Sequence, residues 1–139
     1  MNAKEMLGVV KTYASTESKC KRTHVGVAMC TGSKDDLTLR YLTHNGPVER
    51  NECSNEEGQC GCFHAEIRAI MKVIEKHDIH EHWGIYKWII ICTMTPCTTC
   101  ANFILQYGEF LNEWYFGEQY RNPRGMNILR DAGIICEKI

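Results

Sequence analysis

Apolar positions along the chain change period several times, and each change marks a predicted element. Ala3, Met6, Leu7, Val10 and Ala14 recur at i, i+3, i+4, i+7 and i+11, the stripe of an amphipathic helix. Val25–Cys30 and Leu37–Thr43 are strand-like runs separated by Thr31-Gly32-Ser33-Lys34-Asp35-Asp36, a turn-rich segment that predicts a β-hairpin. Residues 44–62 are polar and carry Gly46, Pro47, Gly58 and Gly61, which predicts a long loop of functional character. Ile67, Ile70, Met71 and Ile74 then give the apolar spacing of a second helix. Lys87–Cys92 is almost continuously apolar, as a strand covered on both faces must be. A third helix over 97–107, a strand over Glu113–Gly117, a short helix over Met126–Ala132 and a last strand over Ile134–Cys136 complete the pattern. No repeat or Pro/Gly/Ser-rich linker interrupts it. A hairpin followed by alternating strands and helices predicts one α/β layered domain with a mixed sheet over residues 1–139.

Composition narrows the classes of function. The chain has 139 residues, 16 Lys and Arg against 17 Asp and Glu, and a net charge of −1. That balance counts against a sequence-independent grip on nucleic acid, which rests on an excess of basic side chains. No apolar run approaches the roughly 20 residues of a membrane span. Met1–Lys11 reads as helix rather than as a signal peptide. Nine cysteines are present, an odd number and without a secretion signal. The expected setting is therefore the reducing cytoplasm, where clustered cysteines bind metal or do chemistry more often than they form bridges.

Two short motifs carry that chemistry. His64-Ala65-Glu66 opens the second predicted helix, and Pro96-Cys97-Thr98-Thr99-Cys100 opens the third. Thiols at i and i+3 face the same side of a helix turn, Pro suits the first turn, and a helix N-terminus favours thiolate. One His and two Cys supply three ligands and leave the fourth zinc position open to water, the mark of a catalytic site. Zinc lowers the pKa of that water to about 7, and Glu66 stands near enough to take its proton. A lone Cys-x-x-Cys is equally a redox pair or half of a structural site, and a lone His is an ordinary helix-start residue. The retained Glu66 argues against a zinc-stapled interaction module, which needs no general base. His-x-Glu combined with Pro-Cys-x-x-Cys is the signature of zinc nucleobase deaminases.

From about Ser18 to Gly133 the chain resembles the cytidine deaminase superfamily, and within it the deoxycytidylate (dCMP) deaminases. The resemblance is carried by Ser18–Gly26, Asn45-Gly46, His64–Ile70, Thr93–Cys100, Tyr120 and Asn127–Gly133. It implies a three-layer α/β/α fold with a mixed five-stranded sheet, and a catalytic zinc held by His64, Cys97 and Cys100. Glu66 would be the proton shuttle in the hydrolysis of dCMP to dUMP and ammonia. Asn45 would hydrogen-bond the sugar, the Thr95 region would contact the base, Tyr120 would lie near the substrate, and Arg22, ahead of Arg121 and Arg124, would meet the phosphate. Homo-oligomers are implied as well. The turn Asn45-Gly46-Pro47-Val48 is shorter than the family's Asn-Gly-x-Pro-x-Gly, which takes part in nucleotide regulation in relatives. The same motifs also serve enzymes acting on other cytosine nucleotides or nucleosides, or on a base in RNA or single-stranded DNA.

Some phage-type relatives carry a second, structural zinc near the opening segment. Cys20 matches one ligand position and Cys53 another, with Cys60 and Cys62 in the same loop to complete a four-thiolate site. Free surface thiols, with His77, His80 or His82 as substitute ligands, are the other reading. Cys30, Cys92 and Cys136 lie in apolar strand-like runs and read as core residues. Trp83, Trp88, Trp114, Tyr115 and Phe116 read as packing or subunit contacts rather than as base-stacking platforms.

Overall fold

The computed structural model describes residues 1–47, 52–56, 60–77, 86–120 and 122–139; Trp83, His80, His82, Val48 and Arg121 lie outside them. Five strands make the principal sheet: β1 (Gly26–Ser33), β2 (Asp36–His44), β5 (Trp88–Met94), β6 (Leu111–Glu118) and β7 (Ile135–Lys138), in the order β2-β1-β5-β6-β7. β1 pairs antiparallel with β2 and with β5, whereas β5–β6 and β6–β7 are parallel. The predicted mixed five-stranded sheet is present.

Alternation along the strands explains the layers. Ala28, Cys30, Ile89, Ile91 and Tyr115 turn to one face, where α1 (Ala3–Glu17) packs Met6, Leu7 and Val10 against them. Val27, Met29, Ile90, Cys92, Trp114 and Phe116 turn to the other. There they meet α2 (Ala65–Lys76), α3 (Thr98–Tyr107) and α4 (Arg124–Asp131). Ile89, Ile90 and Ile91 are fully buried, each stabilising the fold by about 1.5–3 kcal/mol relative to exposure. Strands buried on both faces lose the period-2 pattern, which is why Lys87–Cys92 reads as continuously apolar. Cys30, Cys92 and Cys136 are core residues, as expected, and Trp88, Trp114, Tyr115 and Phe116 are packed inside.

Three expectations need correction. The hairpin turn is only Lys34-Asp35, because Thr31–Ser33 and Asp36 pair in the ladder, with Gly32 in the left-handed region at φ +117°. The segment 44–62 is not wholly loop: β3 (Gly46–Pro47) pairs antiparallel with β4 (Cys62–Phe63). The inner face of α2 is Ala65, Glu66, Ala69, Ile70 and Val73, while Met71 and Ile74 are exposed and Ile67 half-buried. Ile70 alone of the four predicted positions is fully inside. Alanines at 65 and 69 let the helix approach the sheet closely, and the isoleucine stripe is left on the outside.

Candidate active site and thiol clusters

Two helix starts meet at the carboxyl end of β5. His64 is the N-cap of α2, extended at φ −78° and ψ 140°, and its side chain makes no capping bond. The ring turns instead to the neighbouring helix, placing Nδ1 at 3.1 Å from Cys100 Sγ and 3.5 Å from Cys97 Sγ. Cys97 is the N-cap of α3, its sulfur accepting from the Cys100 backbone N–H at 3.4 Å. The three ligand atoms lie within 4.8 Å of one another. α4 secures this arrangement from outside: a Cβ on Gly125 would stand 2.2 Å from the Pro96 carbonyl oxygen and 2.7 Å from that of Cys97, so only glycine permits the approach.

The electrostatics suit a cation. The Cys97 thiol is lowered to about 4 by hydrogen bonds from Cys100, outweighing burial, and from His64. Cys100 is raised, first by its hydrogen bond to Cys97 and then by burial. His64 is raised by its bond to Cys97 against the opposing effect of burial. Glu66 is buried, its carboxyl raised chiefly by desolvation, and its Oε1 has no hydrogen-bond partner. A buried, unpartnered carboxylate oxygen costs about 1–3 kcal/mol or more; it persists where a ligand or metal-bound water satisfies it. The donor set and the orphaned oxygen fit zinc with an open position.

A cleft of about 180 Å³ opens over these residues, with His64, Glu66 and Cys97 in its wall. Arg22, Asn45, Thr95 and Tyr120, singled out from the sequence, also line it. Arg124 is exposed on α4 and is not among the cleft residues. Asn45 is committed to structure: Oδ1 accepts from Ser18 Oγ at 2.5 Å and the Val25 N–H at 2.9 Å, and Nδ2 donates to the Thr23 carbonyl at 2.9 Å. One Nδ2 hydrogen is left over. Thr95 Oγ1 accepts from the Tyr120 backbone N–H at 2.6 Å, tying the two walls together. Sequence reasoning passed over Val25, Phe63 and Met94, which also line the cleft. The position of Phe63, beside His64 in the chain, was the available signal for it.

Cys20, Cys53, Cys60 and Cys62 form the second cluster, their sulfurs also within 4.8 Å of one another. Cys20 and Cys53 are buried. Cys53 is lowered to about 7, mainly by the Lys21 backbone N–H, which donates to its sulfur at 3.3 Å. Cys62 is raised, first by burial and then by hydrogen bonding to Cys53. Four convergent thiols fit a closed tetrahedral zinc site. His77, offered from sequence as a substitute ligand, lies elsewhere, with Nε2 at 2.7 Å from the Tyr41 hydroxyl.

Comparisons with known proteins follow the same lines. The family model for the cytidine and deoxycytidylate deaminase zinc-binding region matches residues 1–118. The dCMP deaminase of cyanophage S-TIM5, solved with dCMP and dUMP, is similar at a TM-score of 0.77 and 24% identity, covering 98% of this chain and 95% of that one. Its apo form gives a TM-score of 0.72 at 22% identity, covering 99% of this chain and 96% of that one. The Rib2 deaminase of Aspergillus oryzae gives 0.68 at 15% identity, covering 99% of this chain and 83% of that one. At these identities the likeness is one of fold. No curated protein sequence matches the chain.

Proposed function

Because the chain belongs to the family of zinc-binding cytidine and deoxycytidylate deaminases, we propose that residues 1–139 form one domain that hydrolyses dCMP to dUMP and ammonia. The observation that carries this reading is Glu66, buried with an unpartnered Oε1 two residues from His64 and facing the same cleft. His64, Cys97 and Cys100 would hold a zinc ion, which would supply a water whose pKa is lowered to about 7. Glu66 is placed to accept one proton from that water and give it to N3 of cytosine as the hydroxide oxygen bonds C4, and then to pass the remaining hydroxyl proton to the amino group as the C4–N bond breaks and ammonia leaves. The base enters beside Thr95 and Tyr120, with Asn45 offering its remaining Nδ2 hydrogen to the sugar and Arg22 its guanidinium to the phosphate. The solved relative from cyanophage S-TIM5 holding dCMP and dUMP supports this choice of substrate.

A second zinc on Cys20, Cys53, Cys60 and Cys62 belongs to the same reading, as do cytoplasmic location and assembly of several copies. The apolar stripe that α2 leaves exposed supports assembly. No helix among the described residues is long and apolar enough to cross a membrane. The test is a panel of cytidine, dCMP, dCTP and a short cytosine oligonucleotide, followed by loss of cytosine absorbance. Turnover should be greatest on dCMP; turnover confined to the oligonucleotide or the free nucleoside overturns the reading.

A further inference from the structure

The two thiol clusters share a wall. Cys20, Cys60 and Cys62 line the same cleft as His64 and Glu66, whereas Cys53 does not. Two segments leaving the four-cysteine cluster carry residues into the cleft: Arg22 follows Cys20, and Phe63 and His64 follow Cys62. We propose that Cys53 is a positioning residue for the nucleotide: metal held by the four cysteines fixes Arg22 at the cleft and so sets substrate affinity. The proposal rests on the dCMP reading for the identity of the substrate.

Among the described residues, hydrogen bonds tie the loop to this cluster and to its neighbours. The Lys21 N–H donates to Cys53 Sγ at 3.3 Å, Arg22 Nη1 donates to the Asn55 carbonyl at 3.2 Å, and the Ser54 N–H donates to the Cys60 carbonyl at 3.2 Å. Asn55 itself adopts a left-handed conformation at φ +61°, so the chain turns sharply two residues after Cys53 to present that carbonyl. Residues 52–56 form neither helix nor strand. Cys20 and Cys53 are buried yet belong to neither apolar cluster of the sheet. A segment with no apolar core of its own is ordered by whatever joins its ends, and for a thiolate site metal-binding free energy becomes folding free energy. Losing the ion releases Cys53 from Cys20, and the Asn55 carbonyl that orients Arg22 goes with it. Glu66 is carried by α2, which packs with α3 and β5 on the sheet, so kcat depends on this ion far less than KM does.

Cys53 gives a clean test because its side chain does not line the cleft. The full chain is prepared as wild type, Cys53→Ser, Cys53→His, Arg22→Ala and the Cys53→Ser/Arg22→Ala double variant. Zinc content, kcat and KM for dCMP, dUMP affinity by calorimetry, and amide exchange over 20–23 are measured. The wild type should carry two zinc ions. Cys53→Ser should carry one, raise KM and weaken dUMP binding by about tenfold, leave kcat within about twofold, and lose protection over 20–23. Cys53→His, which keeps a ligand, should recover zinc and KM. Arg22→Ala should raise KM with both ions bound, and the double variant should be no worse than the worse single, as expected for one shared pathway. Two ions in Cys53→Ser, or one ion with unchanged KM, overturns the proposal. Should Cys53→Ser not fold, withdrawing the first ion from wild type with a competing chelator must weaken dUMP binding; unchanged affinity overturns it equally. Absence of dCMP turnover in the wild type is a failure of the substrate reading instead, and the coupling is then judged by the same ratios on the panel's true substrate.

Discussion

The cluster of His64, Cys97 and Cys100 stands on the first turns of two helices, whereas that of Cys20, Cys53, Cys60 and Cys62 stands on loop segments and the two-residue strand β4. Both bring their ligand atoms within the same 4.8 Å. Behind the first lie Ala65, Ala69, Ala101, Ile90 and Cys92, all fully buried against the sheet. Behind the second lie hydrogen bonds to sulfur and to loop carbonyls. The first is preorganised, held in place by apolar burial before any ion arrives. The second, on the proposed reading, is organised by its own ligands. Catalysis needs the former, since a water must be held in a fixed geometry against Glu66; a staple needs only the latter.

The largest effect that separates the two regions is expected from Ile90→Ala. Removing a fully buried side chain beneath α2 and α3 should cost about 2–5 kcal/mol, seen as a lower denaturation midpoint together with weaker zinc retention at His64, Cys97 and Cys100. An equal loss of protection over 52–56 would contradict the separation. Gly125→Ala comes next. Its Cβ must displace the Pro96 and Cys97 carbonyls, costing about 1–3 kcal/mol and lowering kcat while the four-cysteine cluster keeps its ion. Unchanged kcat would show that the first cluster tolerates movement and is less rigid than its setting suggests.

A pH titration sharpens the contrast between core thiols and cluster thiols. Burial pushes Cys30 from 9.0 to about 12, against a small opposing pull from the N-terminal ammonium, and Cys136 from 9.0 to about 11. Both groups bind protons more tightly folded than unfolded. The stability they contribute is therefore complete below about pH 9 and is lost as the pH climbs toward 11–12. Urea midpoints should fall across that window, and replacing Cys30 by Ala should flatten the fall even though it lowers the starting stability. A midpoint independent of pH would refute the assignment of these thiols to the core. The smallest effect belongs to the outer face of α2: Met71→Lys should change monomer stability by less than about 0.5 kcal/mol while reducing assembly in light scattering.

How much of this was legible in the sequence follows from where each residue gets its position. Ala3, Met6, Leu7, Val10 and Ala14 are all buried at the predicted spacing, because α1 has only one face to hide. The convergence of His64, Cys97 and Cys100 was legible for the same local reason: His-x-Glu and Cys-x-x-Cys fix their own geometry at a helix start. Helix α2 defeats the rule because its start serves the site. Glu66 must face the cleft, and that choice turns Ala65, Ala69 and Val73 inward and leaves Met71 and Ile74 outside. Hydrophobicity alone cannot express a constraint imposed by a carboxylate. Asn45 shows a second limit. Its place beside the cleft was readable, but its bonds to Ser18, Thr23 and Val25 depend on segments brought together only by the fold. The β3–β4 pairing and the contact of Arg22 with Asn55 were hidden for that reason too.

The central claim is that Glu66 moves the proton while His64, Cys97 and Cys100 hold the metal. Purified Glu66→Gln, assayed for zinc content and dCMP turnover side by side with the wild type, tests it most directly. The account predicts undiminished zinc and a fall in kcat of about 10²–10⁴-fold or more. Substantial turnover by a zinc-replete Glu66→Gln enzyme would contradict it.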